Sequence, residues 1–203
     1  MTALSRRAFV TGVGAGGALL VGCGAGHGTT GPRSPGTPQT SSKSSKSPQG
    51  QGRSVPIRLR IPAIEVDTPV IRLGLASDGS VQVPPVTAHD RAGWYRHSPT
   101  PGQVGPSVIL GHVTVGAYGD GVFHDLGRLR RGDRIVARLE NGTATVFAVS
   151  SVRTVAKADF PADEVYGDVD RPELRLITCG GARTDDGYAD NVIVFAALDS
   201  TPP

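Results

Sequence analysis

The chain has 203 residues, of which 38% are apolar and 5% aromatic, a length that fits one domain with appendages. Its two cysteines are too few for a disulfide-dense scaffold or a zinc site with four cysteine ligands, and no apolar run reaches the roughly 20 residues of a membrane-spanning helix. Residues 1–54 hold six basic and no acidic residues, whereas residues 55–203 hold 15 basic and 18 acidic residues, which argues against a nucleic-acid-binding domain.

Residues 1–22 have the pattern of an export signal. A short basic start is followed by Ala8 to Gly22, an apolar stretch of 15 residues that includes five glycines and is too short and flexible to span a bilayer. The run Ser5-Arg6-Arg7-Ala8-Phe9-Val10 resembles a twin-arginine signal, which a receptor reads as an address. We therefore predict export across the plasma membrane.

Cys23 ends this segment in Leu20-Val21-Gly22-Cys23, which resembles a bacterial lipobox. In a lipobox the cysteine thiol receives a diacylglyceryl group and the cysteine becomes the new N-terminus. Two acyl chains attach a protein stably to a membrane, whereas one chain binds only marginally. We predict lipidation at Cys23; an ordinary secretory signal with an incidental cysteine is the alternative.

Residues 23–54 continue from this cysteine as a predicted disordered linker. In Gly24 to Ser54, 22 of 31 residues are Gly, Pro, Ser or Thr, and Ala25 is the only aliphatic residue. Such a segment cannot bury enough apolar surface to offset the entropy lost on ordering. The folded part is therefore predicted to span residues 55–203.

Residues 55–203 show repeated strand patterns and few helical ones. Asn141-Gly142 separates two strand patterns and indicates a hairpin whose two turn residues both need positive φ. Short helical turns are predicted around Phe123 to Leu129 and after Pro161. Many short strands with Gly and Pro turns predict a β-barrel or sandwich. The predicted strands are Ile57–Ile61, Val66–Leu73 with a break at Pro69, Val108–Leu110, Arg134–Glu140, Thr143–Val149, Leu174–Thr178 and Asn191–Ala197.

Cys179 and His112 are the residues whose chemistry needs an explanation. Cys179 follows an apolar strand pattern and precedes Gly180-Gly181, where a substrate backbone could approach the sulfur closely. His112 likewise follows the apolar run that ends at Leu110. Taken alone, Cys179 also fits a small buried apolar residue and His112 an ordinary hydrogen-bonded histidine. A metal site at His112 and His124 would need further ligands that the sequence does not indicate.

Seven blocks of sequence together resemble the sortase family, and they follow the family's order across most of residues 55–197. The version Thr-Cys-Gly-Gly at Cys179 is most similar to the class F sortases of actinobacteria. The blocks are Ile61-Pro62-Ala63-Ile64, Val66-Asp67-Thr68-Pro69-Val70, Gly93-Trp94-Tyr95, Pro106-Ser107-Val108-Ile109-Leu110-Gly111-His112, Phe123-His124-Asp125-Leu126 with Gly132-Asp133, Leu174-Arg175-Leu176-Ile177-Thr178-Cys179-Gly180-Gly181 and Asp190-Asn191-Val192-Ile193-Val194-Phe195-Ala196.

The resemblance implies an all-β fold, an eight-stranded barrel with one or two short helices, and a cysteine transpeptidase with a catalytic His, Cys and Arg. It implies Cys179 as the nucleophile and His112 as the general acid and base. Arg183 is the one arginine between Cys179 and the last predicted strand, although residues 182–188 form a shorter segment than in the family. Arg175, on the same strand parity as Cys179, is the second candidate.

As a sortase, the protein would cleave a sorting signal on surface proteins through a thioester and pass the acyl group to an amine of a cell-wall precursor or a pilin lysine. It would work without cofactor or metal, on the outer face of the plasma membrane, held by the lipid on Cys23. The rival interpretation is a non-catalytic sortase-like surface lipoprotein that binds peptide or glycan. A transpeptidase of the other extracytoplasmic cysteine class, acting on peptidoglycan stems, fits less well, because its Ser-x-Gly-Cys-x-Arg pattern is replaced by Thr-Cys-Gly-Gly.

Overall fold

The computed structural model describes residues 54–185 and 187–199, which lie in one compact unit. Eight strands close into a barrel in the order β1-β2-β3-β4-β7-β8-β6-β5. This confirms the predicted fold class, an all-β eight-stranded barrel with few short helices. The predicted export signal at 1–22, the lipidation site at Cys23 and the linker up to residue 53 lie outside the described residues.

The strands are joined by short helical turns and one α-helix, α1, at Ala162–Tyr166. β2 pairs with β3, and β4 with β7, in parallel; the other neighbours in the barrel are antiparallel. The strands are β1 Pro56–Ile61, β2 Val66–Leu73, β3 Ala92–Tyr95, β4 Gly105–Leu110, β5 Arg134–Leu139, β6 Ala144–Ala156, β7 Pro172–Thr184 and β8 Gly187–Leu198. The 3₁₀ turns are Pro62–Ile64, Val86–Ala88, Gly116–Tyr118, Leu126–Arg128 and Lys157–Asp159.

β2 runs through Pro69 without the predicted break. Pro69 is the last β2 residue paired with β1, opposite Arg58, and the parallel pairing with β3 begins at Val70. Proline is tolerated here because it stands where one ladder ends and the other begins. The prediction of a break was therefore wrong.

The predicted hairpin at Asn141-Gly142 joins β5 to β6, but its turn differs from the prediction. Gly142 has φ +84°, whereas Asn141 does not have positive φ. The amide of Gly142 donates to the carbonyl of Leu139 at 3.0 Å, and the amide of Leu139 donates to the carbonyl of Thr143 at 2.7 Å. This is a three-residue loop in which only the glycine needs the left-handed conformation.

Two apolar clusters lie on opposite sides of the barrel wall. The inner cluster fills the barrel, and on β7 and β8 it takes Leu174, Leu176, Val192, Val194 and Ala196. The outer cluster lies on the outside of β4, β7 and β8, where α1 covers part of it. Its buried members are Leu73, Val108, Leu110, Val165, Ile177, Ile193 and Phe195. Because neighbouring residues in a strand face opposite sides, these clusters fix which side every residue of the three strands faces.

Within residues 54–185 and 187–199, no helix has the length and apolar character needed to cross a membrane.

Candidate active site

The parallel pairing of β4 with β7 brings His112 and Cys179 to the same end of two neighbouring strands. Leu110 pairs with Ile177, and the next amide, that of Gly111, donates to the carbonyl of Ile177 at 3.1 Å. His112 and Cys179 each lie two residues beyond this pair. Side chains two residues apart in a strand share a side, so Cys179 continues the outer side that Ile177 occupies, while His112 lies two residues past the end of β4. The two residues that the sequence singled out thus lie at the same end of two neighbouring strands.

Cys179 is a free cysteine inside β7, not after it as the sequence predicted. The strand continues to Thr184 because β8 pairs with it beyond the glycines. The side chain of Cys179 is partly exposed, between Thr178 and Gly180, which are both buried. Because Cys179 is partly exposed, it differs from a buried, inert cysteine, which was the other interpretation of its apolar strand pattern.

His112 is held by a hydrogen bond from the loop between β2 and β3. Its Nε2 lies 2.6 Å from the carbonyl oxygen of Pro84, and that proline is itself buried. A carbonyl oxygen only accepts, so Nε2 carries the proton and donates it. Nδ1 is the ring nitrogen left to exchange a proton with another group. The contact with Pro84 joins residues far apart in the chain, and the sequence did not predict it.

The segment after His112 folds back on the histidine. The amide of Phe123 donates to the carbonyl of His112 at 2.9 Å, and the Gly121 amide donates to the carbonyl of Val113 at 2.9 Å. A Cβ on Gly121 would overlap the carbonyl group of His112, so only glycine fits at this position. Two contacts therefore hold the histidine: the Pro84 carbonyl binds its ring, and the segment that contains Gly121 binds its backbone.

A side-chain hydrogen bond ties the histidine segment to the β7–β8 hairpin. The Thr114 hydroxyl lies 2.9 Å from the Tyr188 hydroxyl, and either can donate. Thr114 is two residues from His112, and Tyr188 stands at the start of β8, whose later residues pair with β7 around Cys179. The bond links the two segments that carry the imidazole and the thiol.

An apolar surface leads up to Cys179 on the outer side of the sheet. Ile177 and Ile193 are both buried in the outer cluster next to the Cys179 end of β7 and β8. The β2–β3 loop borders this side, with Val83 exposed beside a shallow cavity of about 390 Å³. The residues that line the cavity are Ile71, Arg72, Leu73, Ala76, Gln82, Val83 and Pro85.

The Arg175 side chain belongs to a buried hydrogen-bond network that lies away from the Cys179 thiol. Its side chain is 4% exposed, its Nη2 lies 2.6 Å from Glu173 Oε2, and its Nε donates to the carbonyl of Glu164 at 3.3 Å. The guanidinium carbon also lies 4.6 Å from the centre of the Phe195 ring. Four residues of strand separate Arg175 from Cys179, about 13 Å at the usual rise. The structure does not bring the two side chains together.

Arg183 is exposed on the far part of β7, beyond an irregularity in the pairing with β8. Gly180 pairs with Asp190 but Arg183 pairs with Tyr188, so β7 has one extra residue between the two pairs. Gly181, in this bulge, has φ +74°. Arg183 is thus exposed and lies four residues beyond Cys179, past the bulge, and its catalytic role stays a prediction.

Asn191 is the residue that the sequence analysis did not single out. It pairs directly with Cys179 across β7 and β8, and its side chain is half-buried on the same outer side. Strand alternation could have indicated that Asn191, Ile193 and Phe195 share a side. Its pairing with Cys179 could not be predicted, because the bulge at Gly181 sets the register.

Metal ligation finds no support in the residues that the structure describes, where no three His, Cys, Asp or Glu side chains converge on one point. His124, the other histidine of the predicted metal alternative, has its Nδ1 3.2 Å from Asp120 Oδ1.

Comparisons with known proteins agree on one family. The family model described as a sortase domain matches residues 59–199. No curated protein sequence matches the chain.

Three solved structures illustrate the similarity in fold. Sortase A from Corynebacterium diphtheriae has a TM-score of 0.58 and 20% identity, and the match covers 74% of this chain but only 63% of that one. Sortase C-1 from Actinomyces oris has a TM-score of 0.57 and 20% identity, covering 71% of this chain and 73% of that one. A pilus-related sortase C of Group B Streptococcus has a TM-score of 0.55 and 16% identity, covering 73% and 69%. Because the sortase-domain model matches more than half of its residues, the chain belongs to the sortase family.

Proposed function

We propose that the protein is a cysteine transpeptidase that cleaves a sorting signal and transfers the acyl part to an amine. The observation that carries the proposal is the parallel register of β4 and β7, which sets His112 and a partly exposed Cys179 side by side. The sortase-domain match supports the same reaction class.

The first step forms a thioester. Nδ1 of His112 takes the proton of the Cys179 thiol, and the sulfur attacks the carbonyl carbon of the scissile amide while the carbonyl π electrons move to its oxygen. When the oxyanion collapses, the C–N bond breaks and its electron pair goes to nitrogen, which takes the proton from His112. The products are a thioester on Cys179, neutral His112 and a free amine. The hydrogen bond from Nε2 to Pro84 keeps the ring oriented throughout.

The second step reverses these roles. An incoming amine attacks the thioester carbonyl and gives a proton to His112, after which the C–S bond breaks and the thiolate recovers that proton. General acid–base help of this kind accelerates a reaction about 10²–10⁴-fold. Water as the acceptor would give a free acid instead of a new amide.

We further propose the class F subtype, sorting-signal-bearing surface proteins as substrates, and a cell-wall precursor or a pilin lysine as the amine acceptor. The Thr178-Cys179-Gly180-Gly181 sequence supports the subtype. One structural neighbour is a pilus-related sortase, which supports pilins as a substrate class. A location on the outer face of the plasma membrane and a lipid anchor on Cys23 are proposed from the sequence of residues 1–23 alone.

The function is tested with the full chain and a fluorogenic library of sorting-signal peptides, with hydroxylamine present to trap the thioester as a hydroxamate. We expect hydroxamate formation by the parent and none by Cys179→Ala. His112→Ala should lower the rate at least a hundredfold, whereas His97→Ala, at an exposed histidine on a loop, should not. Equal cleavage by the parent and Cys179→Ala would refute the proposal.

The arginine and the rival function are tested in the same assay. Loss of activity in Arg183→Ala would support Arg183; loss in Arg175→Ala with retention in Arg183→Ala would move the role to Arg175. A methanethiosulfonate reagent separates the enzyme from a non-catalytic peptide- or glycan-binding lipoprotein. Rapid labelling of Cys179 is expected for the enzyme, because its side chain is partly exposed.

A further inference from the structure

The oxyanion that forms when Cys179 attacks an amide needs a hydrogen-bond donor on the side of the sheet where the thiol lies. Neither candidate arginine starts from a position that meets this need. Arg175 donates to Glu173 and to the carbonyl of Glu164, and it lies about 13 Å along β7 from the thiol. Arg183 is exposed and lies four residues along β7 from Cys179, beyond the bulge.

Asn191 stands where such a donor is required. It is the residue directly opposite Cys179 in the antiparallel pairing of β7 with β8. Side chains opposite each other in such a pair project to the same side, with Cβ atoms about 4.5–5.5 Å apart. An asparagine amide reaches about two bond lengths beyond its Cβ, so its Nδ2 comes within range of an oxygen on the carbon that bonds to the Cys179 sulfur.

The Asn191 amide is also free to take up a ligand. Its side chain makes no hydrogen bond to any of the residues that the structure describes, and it is half-buried, not extended into solvent. A primary amide has two N–H donors, and a strand in a barrel wall holds its Cβ in place. The donor is thus available, and it is positioned before substrate arrives.

The apolar surroundings increase what one donor can contribute. The next residues on the same side of the two strands are Ile177 and Ile193, which are 6% and 0% exposed. A hydrogen bond to a developing negative charge is stronger where water is excluded than in bulk water. A bound peptide that covers Cys179 would complete this exclusion.

We propose that Asn191 is a catalytic residue of this protein, whose side-chain Nδ2–H donates to the substrate carbonyl oxygen as that oxygen becomes an oxyanion. The proposal rests on the acyl-transfer function proposed above and adds a residue to that site. An uncharged donor opposite the nucleophile supplies the stabilisation without requiring either arginine to move along β7 to the thiol.

The test compares Asn191→Ala and Asn191→Asp in the full chain with Cys23→Ser, so that Cys179 is the only thiol. Alanine removes the amide, and aspartate keeps its size while removing the donors. Asp190→Asn serves as the control, since it is the adjacent residue but faces the other side of β8. Each protein is assayed for kcat and KM on the library peptide that the parent cleaves fastest, and for the rate of Cys179 alkylation by iodoacetamide.

Both Asn191 variants should lose about 10²–10³-fold in kcat, the usual effect of removing one oxyanion donor, with KM changed less than threefold. Alkylation forms no oxyanion, so its rate in Asn191→Ala should stay within twofold of the parent's. The alkylation readout uses this variant only, because the added carboxylate of Asn191→Asp by itself disfavours the reactive thiolate. The control should match the parent in both assays.

Two results would overturn the proposal: a kcat within threefold of the parent in either Asn191 variant, or alkylation of Asn191→Ala slowed by the same factor as its kcat. The second result would assign Asn191 a structural role at the thiol. Failure of the proposed function is distinct from both, because then the parent itself would form no hydroxamate.

Discussion

Glu173 illustrates how single side chains stabilise the outer face of β7. Its carboxylate accepts from Arg175 and Arg171, each at 2.6 Å, while its side chain is 11% exposed. Burial by itself would raise the pKa of Glu173, but the hydrogen bonds and charges of the two arginines outweigh it and hold the pKa below its usual value. The residue is therefore ionised whenever the protein is folded near neutral pH.

We expect Glu173→Gln to lower the free energy of unfolding by about 3 kcal/mol at pH 7, because it leaves the buried Arg175 without its counter-charge. Since the folded-state pKa lies below the unfolded one, this stabilisation is present above about pH 4.3 and is lost as the pH falls through the folded value. Urea unfolding of parent and variant at pH 7 and pH 3 measures it. The difference in the free energy of unfolding between parent and variant should be smaller at pH 3 than at pH 7. An equal difference at both pH values would exclude the ion pair as its cause. Asp170→Asn, at an exposed partner of Arg171, is the matched control and should match the parent.

The position of His112 depends on the absence of a side chain at Gly121. A Cβ there would overlap the His112 carbonyl group, whereas a Cβ on Gly127 would meet nothing nearer than 3.9 Å. We expect Gly121→Ala to displace His112, lowering kcat/KM at least tenfold and the free energy of unfolding by about 1–3 kcal/mol. Gly127→Ala should leave both unchanged. Equal activity of the two variants in the peptide assay would show that the position of His112 tolerates this shift.

At the level of elements, the β7–β8 hairpin differs from the β5–β6 hairpin in how much it depends on its glycine. Gly142 has φ +84° with open space around it, so a side chain there would add backbone strain and no clash. Gly181 has φ +74°, and a Cβ would also overlap the carboxylate of Asp190. Gly142 allows the β5–β6 turn to form. Gly181 instead sets the register that brings Asn191 opposite Cys179.

We therefore expect Gly142→Ala to cost about 1–2 kcal/mol of stability while leaving kcat unchanged, because the strain is local to the turn. Gly181→Ala should cost more stability and also reduce kcat at least tenfold, since relief of the clash moves β8 relative to Cys179. Thermal unfolding and the hydroxamate assay separate the two effects. If Gly181→Ala loses stability but keeps the parent's kcat, the bulge does not set the catalytic geometry.

The elements also show where sequence patterns suffice and where they fail. Alternation along Ile57–Ile61 and the apolar run Val108–Leu110 predicted β1 and the core of β4, because burial there depends on local periodicity. The extension of β7 past Gly180 was missed because glycine has low strand propensity, and pairing with β8 overrides it.

In the candidate site, local patterns predicted two residues but not the contacts that they make. His112 and Cys179 end recognisable apolar runs, and the family resemblance joined them. The hydrogen bond from His112 to Pro84 and the pairing of Asn191 with Cys179 both depend on tertiary geometry. No local pattern encodes a loop position or a bulge-dependent register.

For the whole molecule, the site and the barrel should be lost together. The barrel contains the single tryptophan, Trp94 on β3, which is 3% exposed and whose indole nitrogen donates to Pro99. Because Cys179 lies in β7 and His112 follows the end of β4 by two residues, we expect the urea midpoints for peptide cleavage and for Trp94 fluorescence to coincide, as for a two-state domain. Loss of cleavage at a clearly lower urea concentration would instead indicate that the site opens locally before the barrel does.

The parallel pairing of β4 with β7 joins strands that are far apart in the chain. Parallel neighbours need a long crossover, and here β5, β6 and α1 lie between them, so we expect this contact, with its large loop-closure entropy, to form late in folding. Under the proposed mechanism, Cys179 has no base beside it until this contact forms. A newly made chain would then begin acyl transfer only after its own barrel has closed.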